Sequence, residues 1–360
     1  MKSLFLFSVI FLIYVSLSAQ KKIRQPVDSV GFATSAWQMD SIVSRIDKIY
    51  RSRLDSIKRG NLFGQNTSFR LAICPHDDYT YAGSMYESVL PYIKAKTVII
   101  FGVAHKAKKF NIEQRLVFDS FDEWKEPYGN IKISSLRGAI LKNMPKEDYV
   151  IHDSLQQVEH SVEAIVPFLQ HYNRDIQLIS ILIPAMNFDL MKKISSDLAK
   201  AISLVMNQNK LKWGKDIAMV ISNDAVHYGD EEWSGKNYAT YGCDREGYEK
   251  AVNHENEIIR NSLIPLLDTV SIHKFFDYTV QTGNWREYLW PWCGRYSVPF
   301  GLLTGMYLSQ IRGEENLSGI KMGYSTSIAS SPMPVEDLGM GKTAIATLHH
   351  WVGYTAIGYK

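Results

Sequence analysis

The stretch Leu71–Gly83, "LAICPHDDYTYAG", sets an apolar run against an abrupt Pro75-His76-Asp77-Asp78. Arg70–Cys74 has the apolar, partly β-branched character of a buried strand, and Pro75 ends it. A strand that delivers a histidine and two carboxylates to its C-terminal loop invites comparison with the other strands of the chain.

Three further runs rich in β-branched residues follow: Thr97–Val103 ("TVIIFGV"), Ile176–Ile183 ("IQLISILI") and Asp216–Ser222 ("DIAMVIS"). Between them lies enough chain for helices such as "DLMKKISSDLAKAISLVMNQ". Uninterrupted apolar strands separated by helices predict an α/β fold, a single domain whose central sheet is largely parallel or mixed and flanked by helices. "GIKMGYST", "TAIATLHHW" and "GYTAIGYK" read as closely spaced strands forming an antiparallel edge.

The second strand delivers His105 in "GVAHK", and the fourth delivers Asp224 and His227 in "SNDAVHYG". In open α/β sheets the crevice beyond the C-terminal strand ends is where ligands bind, so His76, His105 and the Asp224/His227 pair point to one site. "YLWPWCGRYSVPFGLLTGMYLSQI" adds Cys293: helical periodicity after Val298 predicts a helix, and a thiolate just ahead of its N-terminus is favoured. In "VEHSVEAIVPFLQHY", Glu159, His160 and Glu163 head an expected helix, which would put His160 and Glu163 on one face at i, i+3. His160, Asp78 and Arg295 are candidates for supporting the ligands or contacting substrate.

At the N-terminus, "MKSLFLFSVIFLIYVSLSAQKK" carries one lysine, an apolar run and small residues before Gln20, the anatomy of a secretory signal peptide over 1–19. Export to the periplasm or the extracellular space is expected, with no stable membrane span after cleavage. Residues 20–68 form a helical extension, because Trp37, Ile42, Val43, Ile46, Ile49, Tyr50, Leu54 and Ile57 recur near the helical period. The α/β domain then occupies 69–360.

With 360 residues and 46% hydrophobic composition the chain can bury a sizeable core, which argues against disorder. A net charge of +3, from 40 basic and 37 acidic residues without a long single-sign block, argues against nucleic acid as a partner and leaves a small-molecule or peptide ligand. Three cysteines cannot all pair within one chain. Either Cys74 pairs with Cys243 and Cys293 stays free, or all three are reduced.

The pieces "PHDDYTYAGSMY", "GVAHK", "EHSVEAIVPF", "SNDAVHYG" and "CGRYSVPFG" resemble, in order and spacing, the Memo family, also called AmmeMemoRadiSam system protein B. The resemblance runs from about Phe69 to the C-terminal "VGYTAIGYK". It implies a fold similar to the class III extradiol dioxygenases, non-haem iron enzymes that open catechol rings. It also implies a metal held by His76, His105 and Cys293, with Asp224 and His227 close by. The sequence departs from the family at Asp77-Asp78, where a small pair such as Ala-Gly is usual, and at Tyr296, where the human-type sequence has histidine. Most members also lack an export signal.

Two imidazoles and one anion leave coordination positions open, as iron(II) requires if substrate and dioxygen are both to bind; a thiolate also suits copper or zinc. On this reading His227 is the acid/base, its unperturbed pKa lying near working pH, and Asp224 orients it. The function expected is that of an exported metal-binding protein, a non-haem iron oxidoreductase acting on a small catechol-like molecule. The alternative is a non-catalytic metal-binding, redox or ligand-binding protein.

Overall fold

The computed structural model describes residues 20–360, so the leader expected over 1–19 lies outside the described residues. The elements in chain order begin with β1 (Ile23–Arg24), α1 (Ala36–Gly60), β2 (Leu71–Cys74), α2 (Tyr79–Val89), β3 (Thr97–Val103), β4 (Leu116–Phe118), β5 (Glu123–Trp124) and β6 (Ile131–Ile133). They continue with α3 (Leu136–Lys142), β7 (Tyr149–Ile151), α4 (Asp153–Val158), α5 (Val166–Tyr172), β8 (Gln177–Ile183), α6 (Phe188–Gln208), β9 (Ile217–Ser222) and β10 (His227–Gly229). The last third holds α7 (Arg245–Ile258), α8 (Thr269–Thr279), β11 (Val280–Gln281), β12 (Asn284–Tyr288), α9 (Ser297–Arg312), β13 (Gly319–Thr326) and β14 (His350–Tyr359).

Among the described residues the central sheet has 12 strands, and its path runs β1-β5-β6-β8-β3-β9-β2-β14-β10. Its middle, β8-β3-β9-β2, is parallel. Antiparallel β14 makes the whole a mixed sheet. Side chains alternate across it, as the pleat demands. Leu71, Ile73, Ile99, Phe101, Met219 and Ile221 pack into one core with α6 and α9, while Ala72, Cys74, Val98, Ile100, Ala218 and Val220 pack into a second with α1, α2 and α5. Helices thus cover both faces, which is why the strands read as continuous apolar runs.

Helix α1 buries Met39, Ile42 and Ile46 and leaves Trp37 and Ile49 exposed. Ahead of it, β1 pairs in parallel with β5 and sends Arg24 into the interior. The Arg24 guanidinium lies 2.7 Å from the Glu163 carboxylate, donates to the carbonyls of Gln156 (2.9 Å) and Glu159 (2.6 Å), and sits 4.2 Å over the Trp124 ring. Segment 20–68 is thereby fastened to the sheet by a fully buried charge.

The strand expected over Thr343–Trp351 does not form. Thr343 is drawn to the Asp78 carboxylate, and Thr347 and His350 close a turn on each other before β14 begins. Nor is β14 an edge. It pairs along its length with β13, and on its other side with β2 and β10, which buries all of it. Among the described residues no helix is long and apolar enough to cross a membrane.

Candidate metal centre

Register brings the strand ends together. Cys74 pairs with Ser222 and Phe101 with Ile221, so β2, β3 and β9 end side by side. Two residues beyond β2 and β3 stand His76 and His105, and two beyond β9 stands Asp224. Cys293 reaches the same place from the loop ahead of α9. That loop approaches β9 closely because Gly294 donates its N–H to Asn223 Oδ1 at 3.0 Å, and a Cβ there would lie 2.1 Å from the same oxygen. Gly102 does the same for the turn 159–165: a Cβ would stand 2.5 Å from Val162, which the Ser161 hydroxyl bond to the Val103 carbonyl (2.8 Å) holds in place.

Donor atoms of His76, His105 and Cys293 all lie within 4.8 Å of one another. Their hydrogen bonds set which atoms face inward. Ser222 spends its hydroxyl proton on the Ser161 carbonyl (2.6 Å), so it accepts from His76 Nδ1–H at 2.7 Å. His105 Nδ1 donates to Glu159 Oε1 at 2.9 Å. Both rings therefore present an Nε2 lone pair, the tautomer that metal-bound histidines owe to a partner on the other nitrogen. His76 Nε2 is 3.5 Å from Cys293 Sγ. Two donors at about 2.0–2.3 Å from one tetrahedral ion stand about 3.5 Å apart, so the pair fits a shared metal.

The electrostatics keep the His76 imidazole neutral. Burial, then repulsion from His105, His160 and His227, holds His76 well below the ordinary histidine pKa. Burial would push Glu159 up, but the charge and hydrogen bond of His105, with help from His160 and the Ser161 N–H, outweigh it and hold the carboxyl at about 2. Glu159 is thus the fixed anion behind His105. Burial, then the Asp224 charge, pushes the Cys293 thiol well up. The thiolate expected from a helix N-terminus is not favoured without an ion, because α9 starts only at Ser297 and desolvation dominates.

Asp224 and His227 stand beside these three, their donor atoms within 4.8 Å of each other and of Cys293 Sγ. Asp224 Oδ1 accepts the His76 backbone N–H at 2.8 Å, while its own N–H meets Cys293 Sγ at 3.1 Å. It braces the two ligands; among the described residues it makes no hydrogen bond to His227, which it was expected to orient. His227 Nε2 is buried with no hydrogen-bond partner among the described residues. Its pKa is pushed down to about 3, by burial first and then by His105, His350 and His160. The expectation of an unperturbed, near-neutral pKa fails because the ring is buried and neighbouring histidines add to the penalty on its charge.

His160 stacks on His105, with ring centroids 4.9 Å apart, and its pKa falls to about 4 through burial and then His105. The helix expected to begin at Glu159 begins at Val166, with Pro167 in its first turn. Residues 161–165 form a turn instead, and Glu163 faces away from His160, accepting the Val27 and Asp28 N–H groups at 2.8 and 2.9 Å beside Arg24. Asp78 is not among the converging donors. Its carboxylate accepts from the Thr343 N–H and hydroxyl, and burial, then Asp77, raises it to about 7. Arg295 is sandwiched between Tyr288 and Tyr296, 3.4 and 4.8 Å from their ring centres, and donates to the Arg286 carbonyl. All three cysteines are free thiols.

Ser222, Ser161 and Glu159, which orient the ligands, were not singled out for that task from sequence. The signal for Glu159 was present, a carboxylate directly before His160 in "VEHS"; that for Ser222 was its place as the last residue of an apolar run.

Comparison with known proteins identifies the family of the chain. Residues 42–315 match the family model described as Memo-like protein. The chain is 28% identical over 160 residues to a MEMO1 family protein of Methanosarcina barkeri, covering 44% of this chain and 54% of the relative. It is 31% identical over 182 residues to one of Saccharolobus islandicus, covering 49% of this chain and 56% of the relative. These matches span about half the length of the curated relatives. With the family model covering most of the chain, from inside α1 to beyond α9, this protein belongs to the Memo-like family.

Proposed function

We propose that this chain is a metal-binding protein that holds one ion between His76, His105 and Cys293, with iron(II) as the occupant, and that it acts as a non-haem iron oxidoreductase on a small catechol-like molecule outside the cytoplasm. The observation that carries the reading is the pair of locked tautomers: Ser222 and Glu159 each take a Nδ1–H and leave Nε2 free, that of His76 3.5 Å from the Cys293 sulfur. When bound, such an ion supplies Lewis acidity and open coordination positions beside a three-donor set.

The rest is done by side chains. Glu159 fixes the His105 ring, and its negative charge strengthens that imidazole as a donor. Asp224 holds the His76 backbone and brackets Sγ from both sides, its N–H at 3.1 Å and its carbonyl at 3.3 Å. His227 stays neutral and offers its unpartnered Nε2 to a substrate hydroxyl. With a pKa of about 3 it is a positioning contact for that hydroxyl ahead of being a strong base.

The sulfur favours a second reading. A thiolate is soft and oxidisable, which suits copper(I) or zinc and a protein that stores or passes metal or redox equivalents without turnover. Elemental analysis of untagged protein beside His76→Ala, followed by anaerobic iron(II) loading and oxygen uptake with a catechol panel, separates the two. Metal in the wild type alone with oxygen uptake supports the enzyme; metal without uptake supports the second reading; equal metal in both proteins sinks the proposed centre. Amino-terminal sequencing of the protein recovered outside the cytoplasm tests export, which predicts a start near Gln20.

A further inference from the structure

Beneath the N-terminal segment lies a cavity of about 200 Å³, separate from the converging histidines. Its walls include Asp28, Phe32 and Thr34 from the segment, and Glu126, Glu163 and Pro167 from the sheet side. Glu126 is the unusual member. It is 8% exposed, and its Oε1 is buried with no hydrogen-bond partner among the described residues. Burial, then the charge of Glu163, pushes its pKa well above the carboxylate range, and Arg24 only partly offsets them.

The nearby charges leave Glu126 without a partner. Arg24 is committed to Glu163 at 2.7 Å and to the Glu159 carbonyl. Lys125, also in the wall, is exposed and makes no ion pair with Glu126 among the described residues. Asp28 adds a further carboxylate, with one oxygen capping the Val30 and Gly31 N–H groups. A buried carboxylate without a donor is costly, and it persists where a ligand supplies the missing charge.

An inorganic cation fits poorly. Calcium and magnesium favour several carboxylate oxygens gathered at one point, yet among the described residues no three His, Cys, Asp or Glu side chains in these walls bring their donor atoms within 4.8 Å of one another. Beside Thr34 and Lys125 the remaining wall supplies an apolar part, the Phe32 ring with Pro26, Pro127 and Pro167. At ~30 Å³ each, as for water in the liquid, the space holds roughly seven non-hydrogen atoms. We propose that this cavity binds a small organic ammonium ion, with its nitrogen on the Glu126 carboxylate and its alkyl part between Phe32 and the prolines. Five of the wall residues, Pro26, Asp28, Phe32, Ala33 and Thr34, precede the region matched by the family model, and the other five, Glu126 among them, lie within it.

The test is a calorimetric and thermal-shift titration of the mature chain with n-butylammonium, putrescine, 1-butanol and magnesium, on wild type, Glu126→Gln and Phe32→Leu. The expected result is binding of the ammonium ions and not of butanol or magnesium. Glu126→Gln should weaken that binding at least tenfold while keeping a melting temperature equal to or above wild type, since it removes an unpaired buried carboxyl. Phe32→Leu, which keeps the charge, should weaken it less and serves if Glu126→Gln fails to fold. Absence of ammonium binding at millimolar concentration, equal binding by Glu126→Gln, equal binding of butanol, or magnesium binding lost in Glu126→Gln would each overturn the proposal.

Discussion

The strand-end pocket and the cavity under the N-terminal segment treat buried ionisable groups in opposite ways. In the pocket the His76 imidazole is held neutral, and the Nδ1 atoms of His76 and His105 are tied to Ser222 and Glu159, so the donor atoms stand ready at little reorganisation cost. In the cavity Glu126 keeps an oxygen with no partner, and its charge is suppressed by burial first and then by Glu163. Neutral donors preset for a cation can wait empty without strain; a lone carboxylate cannot, and its stability depends on what fills the space. Arg24 touches both regions, bonding the Glu159 carbonyl on one side and the Glu163 carboxylate on the other.

That shared contact yields the largest expected effect. Arg24→Ala removes one partner of a fully buried ion pair and should cost about 3–5 kcal/mol, read as a fall in denaturant midpoint, with metal and ammonium binding both weakened. If either binding survives unchanged, the two regions are less linked through Arg24 than its contacts imply. His76→Ala should abolish metal retention in elemental analysis, a larger loss than the ~10–100-fold typical of outer contacts, and leave ammonium affinity as in wild type. A parallel loss of both would merge the two sites into one.

Glu159→Gln keeps an acceptor for His105 Nδ1–H but removes the charge, so metal affinity should fall about tenfold, measured by competition with a chelator. Unchanged affinity would reduce Glu159 to a spacer. The smallest effect concerns acid. His227 has a folded pKa of about 3 against 6.5 for the unfolded chain, so below pH 6.5 the unfolded chain binds a proton that the folded one refuses. Stability is therefore lost as pH falls from 6.5 towards 3, by at most about 1.4 kcal/mol per pH unit from this residue. Metal-free His227→Gln should lose its thermal midpoint less steeply than wild type between pH 6.5 and 5.5; identical slopes would place the titration elsewhere.

Much of this scaffold was readable in advance. The run "TVIIFGV" became β3 residue for residue, because continuous β-branched sequence buried on two faces has few other uses, and "GIKMGYST" became the half-buried strand β13. The failures share a cause. "TAIATLHHW" has strand composition, but Thr343 is captured by Asp78 from across the molecule and the segment turns instead. The helix expected at Glu159 yields because buried Arg24 recruits Glu163 and Pro167 sets a later start. The pKa expectations for Cys293 and His227 fail because both assumed isolated groups, whereas burial acts on each, joined by the Asp224 charge at Cys293 and by neighbouring histidines at His227.

By itself the sequence determined the alternation of strands and helices and the delivery of His76, His105 and Asp224 just beyond strand ends, since these follow from side-chain period and chain order. Only the tertiary structure decided which nitrogen each ring presents, that Cys293 meets His76 across 217 residues, and that His105 is braced by Glu159 across 54. It alone also revealed a carboxylate left unpaired under the N-terminal segment. Local periodicity is written in neighbouring residues, whereas hydrogen-bond partners and desolvation belong to groups that meet only once the sheet register has closed.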